Sequence, residues 1–190
     1  MKIKYRKTLA IDMDGVLADF ETEFCEAFGY ENRHLSSFEQ RYPNVDKGLI
    51  AEYISDPNNY ERLLPIFGGI LLLNDARARG YYTIIITSRP KHLAEVTREW
   101  LEGFEIQYHE LWYASNKGIA VQEFNNMYPN RKIFALVDDI KENLDGLPDG
   151  VTGIAWEQPW NEGFYPRIRY NENLMRIEVK PDSVSNWKRF

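Results

Sequence analysis

The stretch of sequence that decides the fold is Thr8-Leu9-Ala10-Ile11-Asp12-Met13-Asp14-Gly15-Val16-Leu17-Ala18-Asp19. Its residues 9–11 form a short apolar run that is typical of a buried strand. Two carboxylates follow one residue apart, and Gly15 allows a sharp turn because glycine adopts positive φ at little cost. In an extended chain, residues i and i+2 point to the same side, so Asp12 and Asp14 face one place beyond the strand. Two such carboxylates repel each other unless a cation or a shared proton lies between them, and Mg²⁺ suits that position. Taken alone, Asp12-Met13-Asp14-Gly15 also fits an ordinary turn.

Composition limits the classes of function. The chain has 190 residues, enough for one core and a small insert. A net charge of -6 disfavours a protein that coats nucleic acid but is compatible with a small phosphorylated ligand. No apolar run is long enough to span a membrane, and residues 9–11 are too few for the core of a signal peptide. The single cysteine, Cys25, excludes an internal disulfide and suits a reducing cytosol, so we expect a cytoplasmic protein.

Residues 20–64 read as a small helical cap inserted after the first strand. Phe20, Phe24 and Phe28 recur every four residues, which predicts a helix that starts at Asp19 and stops at Gly29. No strand is legible in this region. Its aromatic residues are expected to form the core of the cap or a stacking wall for a nucleobase: Phe20, Phe38, Tyr42, Tyr53 and Tyr60.

The remaining chain predicts an α/β core. Apolar runs at residues 82–86, 133–137 and 152–156, with a weaker one at 105–108, alternate with helical patterns. Together with residues 9–11 they predict a Rossmann-like three-layer sandwich with a parallel sheet of about five strands. We assign residues 1–19 and 65–161 to this core domain, 20–64 to the cap, and 162–190 to an extension without an assigned role.

Polar side chains follow three of the predicted strands, at the point where each strand ends. They are Asp12 and Asp14, then Thr87 and Ser88, then Asp138 and Asp139. Ligands of parallel sheets bind beyond the carboxyl ends of the strands, so we expect these residues to share one site.

The sequence resembles the haloacid dehalogenase superfamily of phosphatases. The four motifs of that superfamily are an apolar strand followed by Asp-x-Asp, a strand ending in Thr or Ser, a lysine near a helix start, and a strand ending in acidic residues. The matching segments are Asp12-Met13-Asp14-Gly15-Val16, Ile84-Ile85-Ile86-Thr87, Ser115-Asn116-Lys117-Gly118 and Val137-Asp138-Asp139. The resemblance extends over residues 9–156, most of the chain.

This resemblance implies a hydrolase of phosphate monoesters that works through an aspartyl phosphate. Asp12 would be the nucleophile, and Asp14 would protonate the leaving oxygen and then deprotonate water. Thr87 would donate its hydroxyl to the phosphoryl group, and Lys117 would neutralise that group. Taken singly, Thr87 also fits a simple strand end and Lys117 a solvated surface lysine.

The same resemblance implies Mg²⁺ as the cofactor. Its ligands would be Asp12, the backbone carbonyl of Asp14, and Asp138. Asp139 would ligate the metal through water or orient Lys117. A purely structural alternative is that Asp138 and Asp139 cap the following helix.

Within the superfamily, the sequence looks like the 5'(3')-deoxyribonucleotidases. The similarity lies in residues 11–19, in Gly80-Tyr81 with Glu99-Trp100-Leu101, and in Gln158-Pro159-Trp160-Asn161. It implies a nucleoside monophosphate as substrate. We expect no membrane partner, and the net charge of -6 disfavours nucleic acid as a partner. The substrate would contact Phe20, Thr87, Ser88, Arg89 and Lys117.

Two alternatives stay open. Ser88-Arg89-Pro90 also resembles the phosphatase domain of polynucleotide kinases, which implies a polynucleotide 3'-phosphatase. The other alternative is a non-catalytic module that keeps the fold and binds a phosphorylated ligand.

Overall fold

The computed structural model describes residues 7–30, 42, 44–161, 167–171 and 176–180. The strands are β1 Thr8–Ile11, β2 Tyr82–Thr87, β3 Glu110–Tyr113, β4 Ile133–Asp138, β5 Thr152–Trp156, β6 Arg167–Asn171 and β7 Arg176–Lys180. The helices are α1 Phe20–Phe28, α2 Lys47–Ser55, α3 Asn58–Glu61, α4 Phe67–Ala78, α5 Ala94–Gly103, α6 Lys117–Met127 and α7 Lys141–Asp145. Short 3₁₀ turns lie at Lys91–Leu93 and Pro159–Asn161.

The strands form one sheet in the order β3-β2-β1-β4-β5-β6-β7. All neighbouring strands from β3 to β6 are parallel, and β7 runs antiparallel to β6. β1 lies between β2 and β4, with Ile11 in register with Ile85 and Val137. The predicted Rossmann-like α/β fold with a parallel sheet is therefore confirmed.

Helices cover both faces of the sheet. Leu73 of α4 and Trp100 of α5 pack in one buried cluster with Ile11 and Val137. Ala120 and Phe124 of α6 pack on the opposite face, in a cluster that contains Ile84 and Leu136. Because residues i and i+1 of a strand face opposite sides, strands covered on both faces are mainly apolar, as β1, β2 and β4 are.

Two features of the sheet differ from the expectation. The third strand is Glu110–Tyr113 and not residues 105–108, because the latter close the end of α5. Glu105 has a φ of 53°, and the Ile106 amide donates to the Leu101 carbonyl at 2.9 Å. In addition, β6 and β7 extend the sheet beyond the five strands that the sequence predicted.

The described part of residues 20–64 holds the three helices α1, α2 and α3. As predicted, Asp19 caps α1 by accepting from the Thr22 amide at 3.2 Å, and Gly29 ends it with a φ of 68°. Phe20, Phe24, Phe28, Tyr42 and Tyr53 pack as one aromatic cluster, while Phe38 lies outside the described residues. We use the name cap for these three helices. The proposed domain boundaries stay a prediction.

In the ranges that the structure describes, none of the helices combines the length and the apolar character that crossing a membrane requires.

Candidate active site

The turn after β1 places two carboxylates at the centre of the sheet edge. The Asp12 amide donates to the Val137 carbonyl at 2.8 Å and so continues the pairing of β1 with β4. Gly15 then turns with a φ of 82°. A Cβ atom at this position would lie 2.4 Å from the carboxylate carbon of Asp139. Glycine is therefore needed here both for its backbone angle and for the close approach of the two loops.

Lys117 joins the first and the fourth motif. Its ammonium lies 2.6 Å from Oδ1 of Asp12 and 2.7 Å from Oδ2 of Asp138. The side chain is only 1% exposed, so the interpretation of Lys117 as a solvated surface lysine is wrong. Lys117 is the first residue of α6, whose N-terminus is capped by Asn116 accepting from the Ile119 amide at 3.0 Å.

The carboxylates outnumber the cations that touch them. Burial, together with the nearby Asp138 carboxylate, outweighs the attraction of Lys117 and raises the pKa of Asp12 to about 7. Burial alone would lower the pKa of Lys117, but the carboxylates of Asp12 and Asp138 overcome that effect and raise it. Lys117 therefore stays charged, and the carboxylates around it together keep an excess of negative charge.

Asp138 and Asp139 are each held by further donors. Asp138 accepts from the Ile140 amide at 2.8 Å and from the side-chain amide of Asn143 at 3.1 Å. The indole N–H of Trp160 donates to Oδ2 of Asp139 at 3.0 Å. These contacts fix the direction of both carboxylates before any ligand binds.

Three carboxylates form a group that could bind a metal ion. Single oxygens of Asp12, Asp138 and Asp139 all lie within 4.8 Å of one another, and all three residues are buried. A set of hard oxygen donors is the coordination that Mg²⁺ prefers. With one lysine against three carboxylates, a divalent cation would also balance the charge. The residues therefore fit a magnesium ion.

Asp14 has a different partner. Its carboxylate accepts two hydrogen bonds from Arg89, from Nη2 at 2.6 Å and from Nε at 2.8 Å. The Arg89 side chain is 1% exposed, lies 4.4 Å from the ring centre of Tyr60 and donates to Thr97 at 3.3 Å. A planar guanidinium fixed on three sides holds Asp14 in one direction. Metal binding by the Asp14 carbonyl stays a prediction.

The residues of the second motif, at the end of β2, adjoin Arg89. The Thr87 side chain is fully buried and its hydroxyl accepts from the Arg89 amide at 3.1 Å. Ser88 is exposed and donates to the Ala114 carbonyl at 3.3 Å. Ser88 and Arg89 line the cavity described next, whereas Thr87 is not among its lining residues. The role of Thr87 as a donor to phosphate stays a prediction.

These groups open into one cavity of about 480 Å³ between the sheet edge and the cap. This volume is in the range of sites for small molecules. The predicted site residues that line it are Asp12, Asp14, Phe20, Ser88, Arg89, Lys117 and Asp139. Asp138 adjoins the cavity through its contact with Lys117.

Sequence reasoning assigned no role in the site to Asn143 or Trp160. Asn143 holds Asp138, Trp160 holds Asp139, and both line the cavity. Gln158 donates to the Gly15 carbonyl at 2.8 Å and so supports the turn. The available signal was the unusual density of amide and indole donors in residues 156–161, directly after a predicted strand.

Comparison with known proteins identifies the fold. No protein-family model matches the sequence, and a search of curated proteins finds no match. Among solved structures, a haloacid dehalogenase-like hydrolase from Streptococcus pneumoniae superposes with a TM-score of 0.58 at 14% identity, covering 87% of this chain and 94% of that one. A structure described as a dehalogenase gives a TM-score of 0.55 at 11% identity, covering 84% and 87%.

A chain of the Pnkp1/Rnl/Hen1 complex gives a TM-score of 0.53 at 15% identity and covers 83% of this chain. The match covers 48% of that chain, so this chain spans about half of its length. At these identities the similarity concerns the fold alone. The chain thus has the fold of haloacid dehalogenase-like hydrolases, with a group of three aspartates at the carboxyl edge of its sheet.

Proposed function

We propose that the chain is a Mg²⁺-dependent hydrolase of phosphate monoesters that forms an aspartyl phosphate on Asp12. The observation that carries the proposal is the convergence of Asp12, Lys117, Asp138 and Asp139 on one cavity, with Asp14 beside it. The single buried cysteine favours the cytoplasm as its location.

Asp12 is suited to be the nucleophile. Its Oδ1 is held by the Met13 amide at 2.6 Å and by Lys117, so the carboxylate is oriented from one side. In the first step, an Asp12 oxygen attacks phosphorus while the bond from phosphorus to the leaving oxygen breaks. Asp14 gives its proton to that oxygen. In the second step, Asp14 takes a proton from water, the water oxygen attacks phosphorus, and the phosphate leaves Asp12.

Arg89 controls the availability of Asp14. Both oxygens of Asp14 accept from Arg89, so neither faces a leaving oxygen in this arrangement. An incoming phosphate dianion competes with Asp14 for the same guanidinium. Substrate binding is therefore expected to draw Arg89 toward the phosphate and release an oxygen of Asp14 for its role at the leaving group.

Magnesium would be held by Asp12 and Asp138, with Asp139 bound directly or through water. When bound, it supplies positive charge that stabilises the transferred phosphoryl group. Lys117 adds a second positive charge on the same side, and the Trp160 and Asn143 contacts keep the carboxylates in place.

The substrate we propose is a nucleoside monophosphate, with deoxy forms preferred, as in a 5'(3')-deoxyribonucleotidase. The size of the cavity and the aromatic ring of Phe20 in its lining support this choice. Stacking of a base on such a ring is worth about 1–3 kcal/mol. The preference for deoxy sugars rests on the sequence resemblance.

A second candidate is a 3'-phosphatase that acts on nucleic-acid ends. It is favoured by the segment Ser88-Arg89-Pro90 and by the similarity of the fold to a chain of the Pnkp1/Rnl/Hen1 RNA repair complex. The net charge of -6 argues against an open basic groove for a polymer.

The test is the release of phosphate from p-nitrophenyl phosphate, followed by kcat/KM for deoxynucleotides, ribonucleotides, sugar phosphates and 3'-phosphorylated oligonucleotides. We expect Mg²⁺-dependent turnover and a preference for mononucleotides. No phosphate release from any substrate would support the non-catalytic alternative. A tenfold advantage of oligonucleotides, about 1.4 kcal/mol in transition-state binding, would replace the nucleotidase by the 3'-phosphatase.

A further inference from the structure

The cap contributes a distinct set of side chains to the cavity. They are Phe20, Glu21, Ile50, Ile54 and Tyr60. Among these described residues Glu21 is the only charged one, and the other four present apolar or aromatic surface. A ligand that fills this part of the cavity therefore meets an apolar wall that contains a single strong hydrogen-bond acceptor.

Glu21 is unusually well buried for a carboxylate. It is only 6% exposed, although it borders a cavity. A buried carboxylate is costly unless hydrogen-bond donors surround it. The hydroxyl of Tyr42 donates to Oε1 of Glu21, and the position of Glu21 in the first turn of α1 adds the favourable field of a helix N-terminus. A carboxylate accepts several hydrogen bonds at once, so a donor on a ligand adds to these contacts.

The residue before Glu21 provides a flat surface. The ring of Phe20 stacks on that of Tyr60, with centroids 5.7 Å apart and an angle of 26° between the planes. Base edges carry donors or acceptors depending on the base, while every base has a flat face. An acceptor next to an aromatic surface would therefore distinguish bases by their edges.

We call the part of the cavity lined by the cap the leaving-group subsite. We propose that Glu21 determines the specificity of this subsite by accepting a hydrogen bond from the exocyclic amino group of a nucleobase. The proposal rests on the phosphatase function proposed above and adds the chemical class of the base. The same carboxylate disfavours leaving groups that carry a second phosphate or present only carbonyl oxygens at that edge.

The experiment compares substrates that differ by one amino group. One pair is 2'-deoxyguanosine and 2'-deoxyinosine monophosphate, and the other is 2'-deoxyadenosine and purine 2'-deoxyriboside monophosphate. We expect the wild-type kcat/KM to favour the amino-bearing member of at least one pair by about tenfold, because a hydrogen bond to a charged acceptor is lost otherwise. Equal kcat/KM values within both pairs would overturn the proposal.

The variant Glu21→Gln should reduce that ratio to below about threefold, since an amide is a weaker and less selective acceptor. Glu26→Gln, an exposed carboxylate one turn further along α1, is the matched control and should keep the wild-type ratio. If Glu21→Gln lowers kcat/KM equally for both members of a pair, the role of Glu21 is structural and the proposal is wrong.

Two further measurements keep the test decisive. If Glu21→Gln does not fold, Tyr42→Phe takes its place. Loss of the hydroxyl that holds Glu21 should lower the ratio, and an unchanged ratio would contradict the proposal.

Calorimetric binding of the same pairs to the Asp12→Asn protein separates the subsite proposal from the phosphatase proposal. A preference for amino-bearing nucleotides in this binding, together with no phosphate release by the wild-type chain, would support the subsite and refute the phosphatase, whereas equal binding would refute the subsite.

Discussion

At the level of single residues, the site combines two ion pairs of different kinds. Asp14 and Arg89 neutralise each other in a bidentate pair, whereas Lys117 is shared between Asp12 and Asp138. The second arrangement leaves negative charge in excess, and burial together with the Asp138 carboxylate raises the pKa of Asp12. Nucleophilic attack and metal binding by a side chain are thus expected at Asp12, whereas Asp14 is expected to act on the leaving oxygen and on water.

The variant Asp12→Asn should reduce kcat to below a few per cent of the wild-type value, because an amide is a poor nucleophile. The fold should persist, since the amide is nearly isosteric, its oxygen can still accept from the Met13 amide, and Asp138 still pairs with Lys117. Phosphate release and circular dichroism check both parts. A folded variant with substantial activity would rule out covalent catalysis by Asp12.

The variant Arg89→Lys should lower kcat/KM at least tenfold, because an ammonium cannot span both oxygens of Asp14 or stack on Tyr60 in the same way. Arg79→Lys is the matched control, since Arg79 forms an exposed pair with Asp75 at 2.7 Å. Circular dichroism at the assay temperature separates a role at the site from a structural one: with a role at the site kcat/KM falls while the folded fraction stays at the wild-type level, whereas with a purely structural role activity falls in proportion to the folded fraction. Equal activity of both variants would remove Arg89 from the mechanism.

At the level of secondary structure elements, a glycine sets the distance between the start of α6 and the end of α7. A Cβ atom on Gly118 would lie 2.0 Å from the Gly146 carbonyl oxygen. The neighbouring residue Lys117 reaches the carboxylates from this helix start, and Asn143 reaches Asp138 from α7. Close packing of these two helix ends therefore decides where both side chains point.

The variant Gly118→Ala should destabilise the protein by about 1–3 kcal/mol, because backbone must move to admit the methyl group. Thermal unfolding measures this change, and kcat should fall together with it since Lys117 moves. Gly103→Ala is the control: nothing lies within 4 Å of its added Cβ and it ends a helix, so its melting temperature should not fall. A melting temperature of Gly118→Ala equal to that of the control would contradict the close approach.

At the level of the whole molecule, the excess of carboxylates should couple metal binding to folding. A ligand that binds only the folded state at a hundred times its Kd stabilises it by about 2.7 kcal/mol. For a protein of this size, that corresponds to an increase of about 5–10 °C in melting temperature.

Removal of metal with EDTA should therefore abolish activity and lower the melting temperature, and Mg²⁺ should restore both. Asp138→Asn should lose the thermal shift, because one of the three clustered carboxylates is gone. Asp149→Asn, which removes an exposed carboxylate outside this group, should retain it. Full activity after exhaustive chelation, or an equal shift in both variants, would exclude a functional metal at this group.

The sequence by itself determined the central strands and the residues that follow them. Strands buried on both faces are mainly apolar, so β1, β2, β4 and β5 were recognisable without any tertiary information. The edge strands β3 and β7 and the strand β6 beside β7 lack that signal. β6 and β7 carry the pair Arg169–Glu178 at 3.4 Å, and the half-buried β3 contains Glu110, so these three strands were missed or misplaced.

Only the tertiary structure decided which polar groups pair. Asp14 and Arg89 are 75 residues apart, and Trp160 reaches Asp139 across 21 residues. These contacts depend on the strand order, on the packing of α6 against α7 and on the position of the cap. Each of these is set by the sum of many side-chain contacts over the whole core, whereas a local pattern reports only whether a segment is buried and how its residues alternate.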